Sequence, residues 1–318
     1  MVVVFMGSPD FAVPSLRAVI EAGHSVACVV TQPDKARARG RRLAPTPVRE
    51  FAESRGLRVL TPRTLKDENV LNSLREAAPD VIVVVAYGLL LPPEVLAIPK
   101  HGCVNVHASL LPKYRGAAPI ERALMAGDRS TGVTTMYMAE GWDTGDVILQ
   151  EEIEIGEDVT AGELRKELAE RGARLLEKTL SLIESGRAPR MRQDEEDATC
   201  APRVRPEEFE IDWSRPAHSI HNLVRAGNPK PGAFTRLHGA ILKIFKGRPV
   251  RDTSGIPGLP SVCGPPGTVC ARLSDGILVR TGEGFYLATE VQAEGGRRMP
   301  APDYLRGHPV EPGTVLGG

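Results

Sequence analysis

The run Val81–Ala86, VIVVVA, offers no polar side chain to either face of a strand. A strand with one wet face alternates, so a strand without alternation must be covered on both sides, as in a parallel sheet flanked by helices. Val2–Met6, VVVFM, has the same character, and Val26–Thr31 nearly so. Between these runs the period turns helical. Pro14, Leu16, Val19 and Ile20 share a face before Gly23, and Val70–Ala78 is closed by Pro79. Leu57–Leu60, Gly102–His107 and Val133–Met138 supply further strands. This alternation predicts an α/β unit with a Rossmann-like, doubly wound, mostly parallel sheet and right-handed crossovers. Ligands of such sheets sit beyond the carboxyl ends of the strands.

The pattern changes further on. Thr160-Ala-Gly-Glu163 has the spacing of a capping box, and Leu164, Leu168, Leu175, Leu176, Leu180 and Ile183 mark one face of a long helix ending near Gly186. The polar, Pro-containing stretch that follows reads as a linker. After a short helix over 216–225, β-rich runs are punctuated by His238-Gly239, Asp275-Gly276 and Glu283-Gly284. Several short strands in so few residues suggest a small antiparallel barrel. The chain is 318 residues long, which fits two domains better than one. The expected division is 1–188 for the α/β domain, 189–208 for the linker and 209–318 for the barrel.

Forty basic and forty acidic side chains cancel, so any nucleic-acid surface must come from local clustering. Five scattered cysteines without a C-x-x-C pair fit reduced thiols in a cytoplasmic protein. No apolar run approaches the roughly 20 residues that span a bilayer. The N-terminus reads as a strand and turn, not a signal peptide. No H-E-x-x-H or Cys/His cluster occurs, so no metal is expected.

Asn105 and His107 lie two residues apart on one strand, so their side chains leave the same face. An amide can donate to a developing oxyanion and an imidazole can take a proton, a pairing suited to acyl transfer. Asp143, bracketed by Gly141 and Gly145 after the Val133–Met138 strand, is placed to meet His107 across the strand ends. Gly7-Ser8-Pro9-Asp10 lacks the G-x-G-x-x-G of a dinucleotide site, and Pro9 removes a backbone donor, which argues against a nicotinamide enzyme. Lys35, Arg37, Arg39, Arg41 and Arg42 crowd a loop after the second strand, a footprint for phosphates. On the residues alone, a solvated charge run and an Asx-turn at Asp143 remain the plain alternatives.

The stretches FMGSPDFAVPSLRAVIEAGHSVACVVTQPDK, AYGLLLP, NVHASLLPKYRGAAPIERALMAGDRSTGVTTMYMAEGWDTGDVI and IDWSRPAHSIHNLVRAGNPKPGAF stand in this order. Together they resemble the methionyl-tRNA formyltransferase family over nearly the whole chain. The resemblance implies a formyltransferase-fold domain and a C-terminal OB-like barrel that binds tRNA. It implies transfer of a formyl group from 10-formyltetrahydrofolate to the amine of initiator methionyl-tRNA, without metal or nucleotide cofactor, by a cytoplasmic monomer. By motif match, Asn105, His107 and Asp143 take the catalytic positions. Ser109, Leu110, Leu111 and Pro112 take the folate-contacting positions, and Tyr87, Gly88, Leu89 and Leu90 the loop beside the pteridine. Lys35, Arg37, Arg39, Arg41 and Arg42 match a basic insertion that enters the tRNA acceptor end. A sugar-nucleotide formyltransferase would share the trio. A non-catalytic RNA-binding protein would not need it.

Overall fold

A computed structural model describes residues 1–37, 42–251 and 264–317. The chain divides into two compact units. The first holds residues 1–119, 130–154 and 165–203, and the second holds 120–129, 155–164 and 204–318.

In chain order the first unit begins with β1 (Val2–Gly7), α1 (Val13–Glu21), β2 (Ser25–Val30), β3 (Lys35–Arg37), β4 (Arg42–Ala44), α2 (Pro47–Ser54) and β5 (Val59–Leu60). It continues with α3 (Glu68–Glu76), β6 (Val81–Val85), α4 (Pro93–Leu96), β7 (Cys103–His107) and the start of α5 (Pro119–Ala126). Then come β8 (Ser130–Tyr137), β9 (Val147–Glu154) and most of α6 (Ala161–Glu184). The main sheet runs β5-β2-β1-β6-β7-β8-β9. Its first five strands are parallel, as the unbroken apolar runs require. Val81–Val85 is buried at every position, and Ile82 and Val84, on one face, join a core with Val4, Met6, Leu74 and Val95. Gly7 is hemmed in: a Cβ there would lie 2.9 Å from the Val85 carbonyl oxygen and from the Ala12 methyl. Ser8 accepts from the Gln32 backbone N–H at 3.1 Å. The first strand–helix junction is thus occupied by the chain's own packing.

Two expectations are corrected here. β8 is antiparallel to β7, with Val104 opposite Tyr137 and His107 opposite Thr134. The chain therefore leaves β8 at the end where β7 enters the sheet. The basic segment is also not a plain loop: β3 and β4 form an antiparallel hairpin that places Arg37 opposite Arg42. Arg39 and Arg41 lie outside the described residues.

The second unit holds α7 (Ala217–Ala226), β10 (Ala233–Leu237), β11 (Ala240–Val250), β12 (Val269–Leu273) and β13 (Gly276–Arg280), then β14 (Phe285–Ala293), β15 (Met299–Pro300) and α8 (Ala301–Gly307). His238 and Gly239 both have positive φ, 51° and 81°, as a tight β10–β11 hairpin demands. The strands pair in the order β10-β11-β14-β13-β12, with β15 on β14. These strands form the expected separate antiparallel sheet, and among the described residues no pairing joins β10 to β12 to close it into a barrel. Its core includes Trp213, Ile220, Val224, Tyr286 and Tyr304. The capping box forms at the start of α6: Glu163 accepts from the Thr160 backbone N–H at 3.0 Å, and Thr160 accepts from that of Glu163 at 3.3 Å. The Thr160 hydrogen bonds hold the Glu163 carboxyl below its usual range. The five thiols are not all free, because Cys270 is disulfide-bonded.

Candidate active site

β7 lies inside its sheet, between β6 and β8, and is buried throughout. Asn105 and His107 leave it on one face, 8% and 6% exposed. Because β8 exits at the opposite end, the 139–145 segment must fold back along that face to bring Asp143 to them. It does so with Asp143 at φ 54°, in the left-handed region, which Asp enters more readily than most residues. A Cβ on Gly145 would collide with the Tyr137 carbonyl oxygen, so only glycine allows the return.

Three contacts gather at the Asp143 carboxylate. The Asn105 amide donates to Oδ1 at 3.3 Å. The Gly116 backbone N–H donates to Oδ2 at 2.8 Å. His107 Nδ1 stands 3.5 Å from Oδ2. The other ring nitrogen, Nε2, lies 2.9 Å from the Tyr114 carbonyl oxygen, an acceptor only. A hydrogen bond there calls for a hydrogen on Nε2, which leaves Nδ1 facing the Asp143 carboxylate. Asn105 places one amide hydrogen on Asp143, and among the described residues the second meets no partner.

The loop after β7 is shaped largely by its own contacts. Ser109 is fully buried, and its hydroxyl donates to the Lys113 carbonyl at 2.6 Å. Thr134 donates to the Ser109 carbonyl at 2.6 Å and accepts from the Leu111 N–H at 3.2 Å. Gln150 donates to the Leu111 carbonyl at 2.8 Å. Leu111 packs against Met136 and Val147, while Leu110 and Pro112 remain half-buried. The Leu111–Pro112 peptide bond is cis.

The Tyr87–Leu90 segment divides. Tyr87 turns into the core, 1% exposed, and its hydroxyl finds no partner there; burial pushes that hydroxyl up to about 12. Gln32 holds the Tyr87 carbonyl at 2.7 Å, and Gly88 turns at φ 81°. Leu89 and Leu90 are exposed and line a cavity of about 500 Å³ with Arg63, Lys66, Pro92 and Glu140. Trp142, next to Asp143, is 57% exposed. Among the described residues, no group of three or more His, Cys, Asp and Glu is placed to hold a metal.

Sequence reasoning missed what supports the trio. Tyr114, Gly116 and Gln193 all touch it or its turn, and Gln193 and Thr199 come from the segment read as a linker. No local period marks such residues, because their role is set by what they meet.

A mostly parallel α/β unit, in which an amide and an imidazole on β7 meet a carboxylate from the turn after β8, followed by an antiparallel unit, has the architecture of a formyl transferase. Residues 1–180 match the family model described as formyl transferase, and residues 203–309 match its C-terminal domain. The chain belongs to the methionyl-tRNA formyltransferase family. It is 50% identical over 317 residues to the methionyl-tRNA formyltransferase of Moorella thermoacetica, covering 100% of this chain and 99% of that protein. It is 49% identical to that of Pelotomaculum thermopropionicum over the same 317 residues, with 100% and 99% covered. In fold it is similar to the crystal structure of an N-formyltransferase from Helicobacter canadensis in complex with folinic acid and dTDP-3-aminofucose. That match has a TM-score of 0.64 at 18% identity and covers 91% of this chain and 99% of the other.

Proposed function

We propose that this chain transfers the formyl group of 10-formyltetrahydrofolate to the α-amino group of methionine on initiator methionyl-tRNA. The observation that carries this reading is its identity of about half, end to end, with methionyl-tRNA formyltransferases. The convergence of Asn105, His107 and Asp143 supports it.

In the reaction the neutral amine attacks the formyl carbon. The new N–C bond forms, the bond from carbon to folate N10 breaks, and one proton passes from the amine to N10. The second Asn105 amide hydrogen is the group available to the formyl oxygen as it gains charge. His107, set between the Tyr114 carbonyl and Asp143, would manage with Asp143 the proton passed from amine to folate nitrogen.

The remaining assignments follow from this reading. Residues 1–188 would form the catalytic domain, 189–208 a connector and 209–318 an OB-like, tRNA-binding domain. The pairing of the second sheet supports antiparallel character but not closure. Leu89 and Leu90 suit the folate ring because they present apolar surface to a cavity. Leu110, Pro112 and the Gly88 backbone would act as walls, whereas Ser109, Leu111 and Tyr87 would shape the site from behind. The hairpin bearing Lys35, Arg37 and Arg42, with Arg39 and Arg41, would track acceptor-end phosphates. We take the protein to act as a cytoplasmic monomer; no helix among the described residues is long and apolar enough to cross a membrane.

The test supplies formyl-labelled 10-formyltetrahydrofolate with methionyl initiator tRNA, methionyl elongator tRNA or a sugar-nucleotide amine. Label is expected on the initiator alone. Label on the sugar amine, or none on any acceptor, overturns the reading.

A further inference from the structure

Gln193 lies in the stretch that composition reads as a connector, yet it is only 6% exposed. Its Nε2 donates to the Asp143 carbonyl at 2.7 Å and to the Gly145 carbonyl at 2.8 Å. Its Oε1 accepts from Arg115 Nε at 3.0 Å and Nη2 at 2.8 Å. Both hydrogens and both lone pairs of the amide are thus used. One side chain joins the turn carrying Asp143 to the loop carrying Tyr114 and Gly116.

The strap around Gln193 is itself fixed. Met191 and Val147 exchange backbone hydrogen bonds at 2.8 and 2.9 Å. The Tyr114 N–H donates to the Thr199 hydroxyl at 2.8 Å, and Arg115 exchanges bonds with Thr199 and Ala201 at 2.8 and 2.7 Å. Gly116 passes so close that a Cβ would lie 2.9 Å from the Ala201 carbonyl oxygen, at a φ of 120°. Arg115 also pairs with Glu195 at 2.8 Å. A left-handed aspartate persists where its surroundings over-determine it, and the Gln193 amide supplies two of the bonds that do so.

We propose that Gln193 is a positioning residue for formyl transfer, holding the Asp143 turn so that its carboxylate meets Asn105 and His107. The inference rests on the formyl-transfer reading above. It differs from a simple stabilising contact in one respect: Gln193 acts through Asp143. A displacement near 1 Å in a reacting constellation costs about 100-fold in rate.

The test measures steady-state transfer to methionyl initiator tRNA by the full chain. Gln193→Met keeps the volume and removes every hydrogen bond. Gln193→Glu keeps an acceptor for Arg115 but, ionised, has no hydrogen for the two carbonyls. Each is expected to lower kcat roughly 10- to 100-fold, with the folate KM changed less than about threefold. Gln193→Asn, one methylene short, is the mildest variant and should fall between these and the wild type.

The deciding measurement is a double-mutant cycle with Asp143→Asn. In that background Gln193→Met is expected to cost less than about threefold, because the group it positions is already lost. Losses that multiply, or a kcat within twofold of wild type in the folded variants, overturn the proposal. If Met or Glu at 193 prevents folding, the cycle is run with Asn under the same criterion. An active wild type whose variants stay active sinks this inference alone. A wild type that transfers no formyl group sinks the formyl-transfer reading first.

Discussion

The Asn105 amide places one hydrogen on Asp143 at 3.3 Å, and on the proposed reading the second would meet the formyl oxygen of the substrate. On that reading, removing it would take away the proposed oxyanion donor and leave the proposed folate contacts in place. Asn105→Ala is therefore expected to lower kcat by about 10²–10³ with little change in folate KM. Single-turnover transfer measures this directly, and near-normal turnover would show that charge on the formyl oxygen is met elsewhere. Asn105 and His107 were legible in the sequence because strand alternation is local: i and i+2 share a face wherever the strand lies. Asp143 was legible as a partner, but not its route. Its return along β7 follows from the antiparallel β8, and strand direction is not written in apolar content. Tyr114 and Gln193 carried no signal at all, since a backbone carbonyl and an ordinary glutamine become part of a site only after distant segments meet.

At the scale of elements, the β3–β4 hairpin shows how register concentrates charge. Its pairing sets Arg37 opposite Arg42 and Lys35 two positions along the same strand. Lys35→Ala and Arg42→Ala are expected to weaken methionyl-tRNA binding and leave folate binding unchanged. Each lost phosphate contact should also flatten the salt dependence of tRNA affinity, the slope of log K on log salt falling by about 0.7–0.9. Filter-binding titrations over a salt series report both numbers, and a parallel fall in folate affinity would point to a damaged fold instead. The sequence showed the charge cluster but not the hairpin, because Gly40 and the prolines beyond it read as loop. The parallel strands, the capping box and the His238-Gly239 turn were all readable, each being decided within a few residues. Whether the C-terminal sheet closes depends on pairing between its first and last strands, about which local pattern is silent.

The whole molecule is less modular in sequence than in space. The second unit takes in residues 120–129 and 155–164 as well as everything from 204 onward, so its integrity depends on contacts between remote segments. Arg122 supplies one, its guanidinium forking onto Glu208 at 2.7 and 3.2 Å. The Arg122 hydrogen bonds, with the Arg205 backbone N–H, hold the Glu208 carboxyl at about 2, down from 4.5. A carboxyl depressed in the folded state stabilises fully above its unfolded value, and that gain is lost as pH falls toward the folded one. The contribution of Glu208 should therefore be complete at pH 7 and fade between about 4.5 and about 2. Both groups are partly solvated, which limits the gain to about 1 kcal/mol. Glu208→Gln is expected to lose about that much in urea denaturation at pH 7 and to converge with the wild type only at about pH 2 or below. A constant difference across that range would mean that the contact holds the remote segments by packing and neutral hydrogen bonds, with the charge incidental.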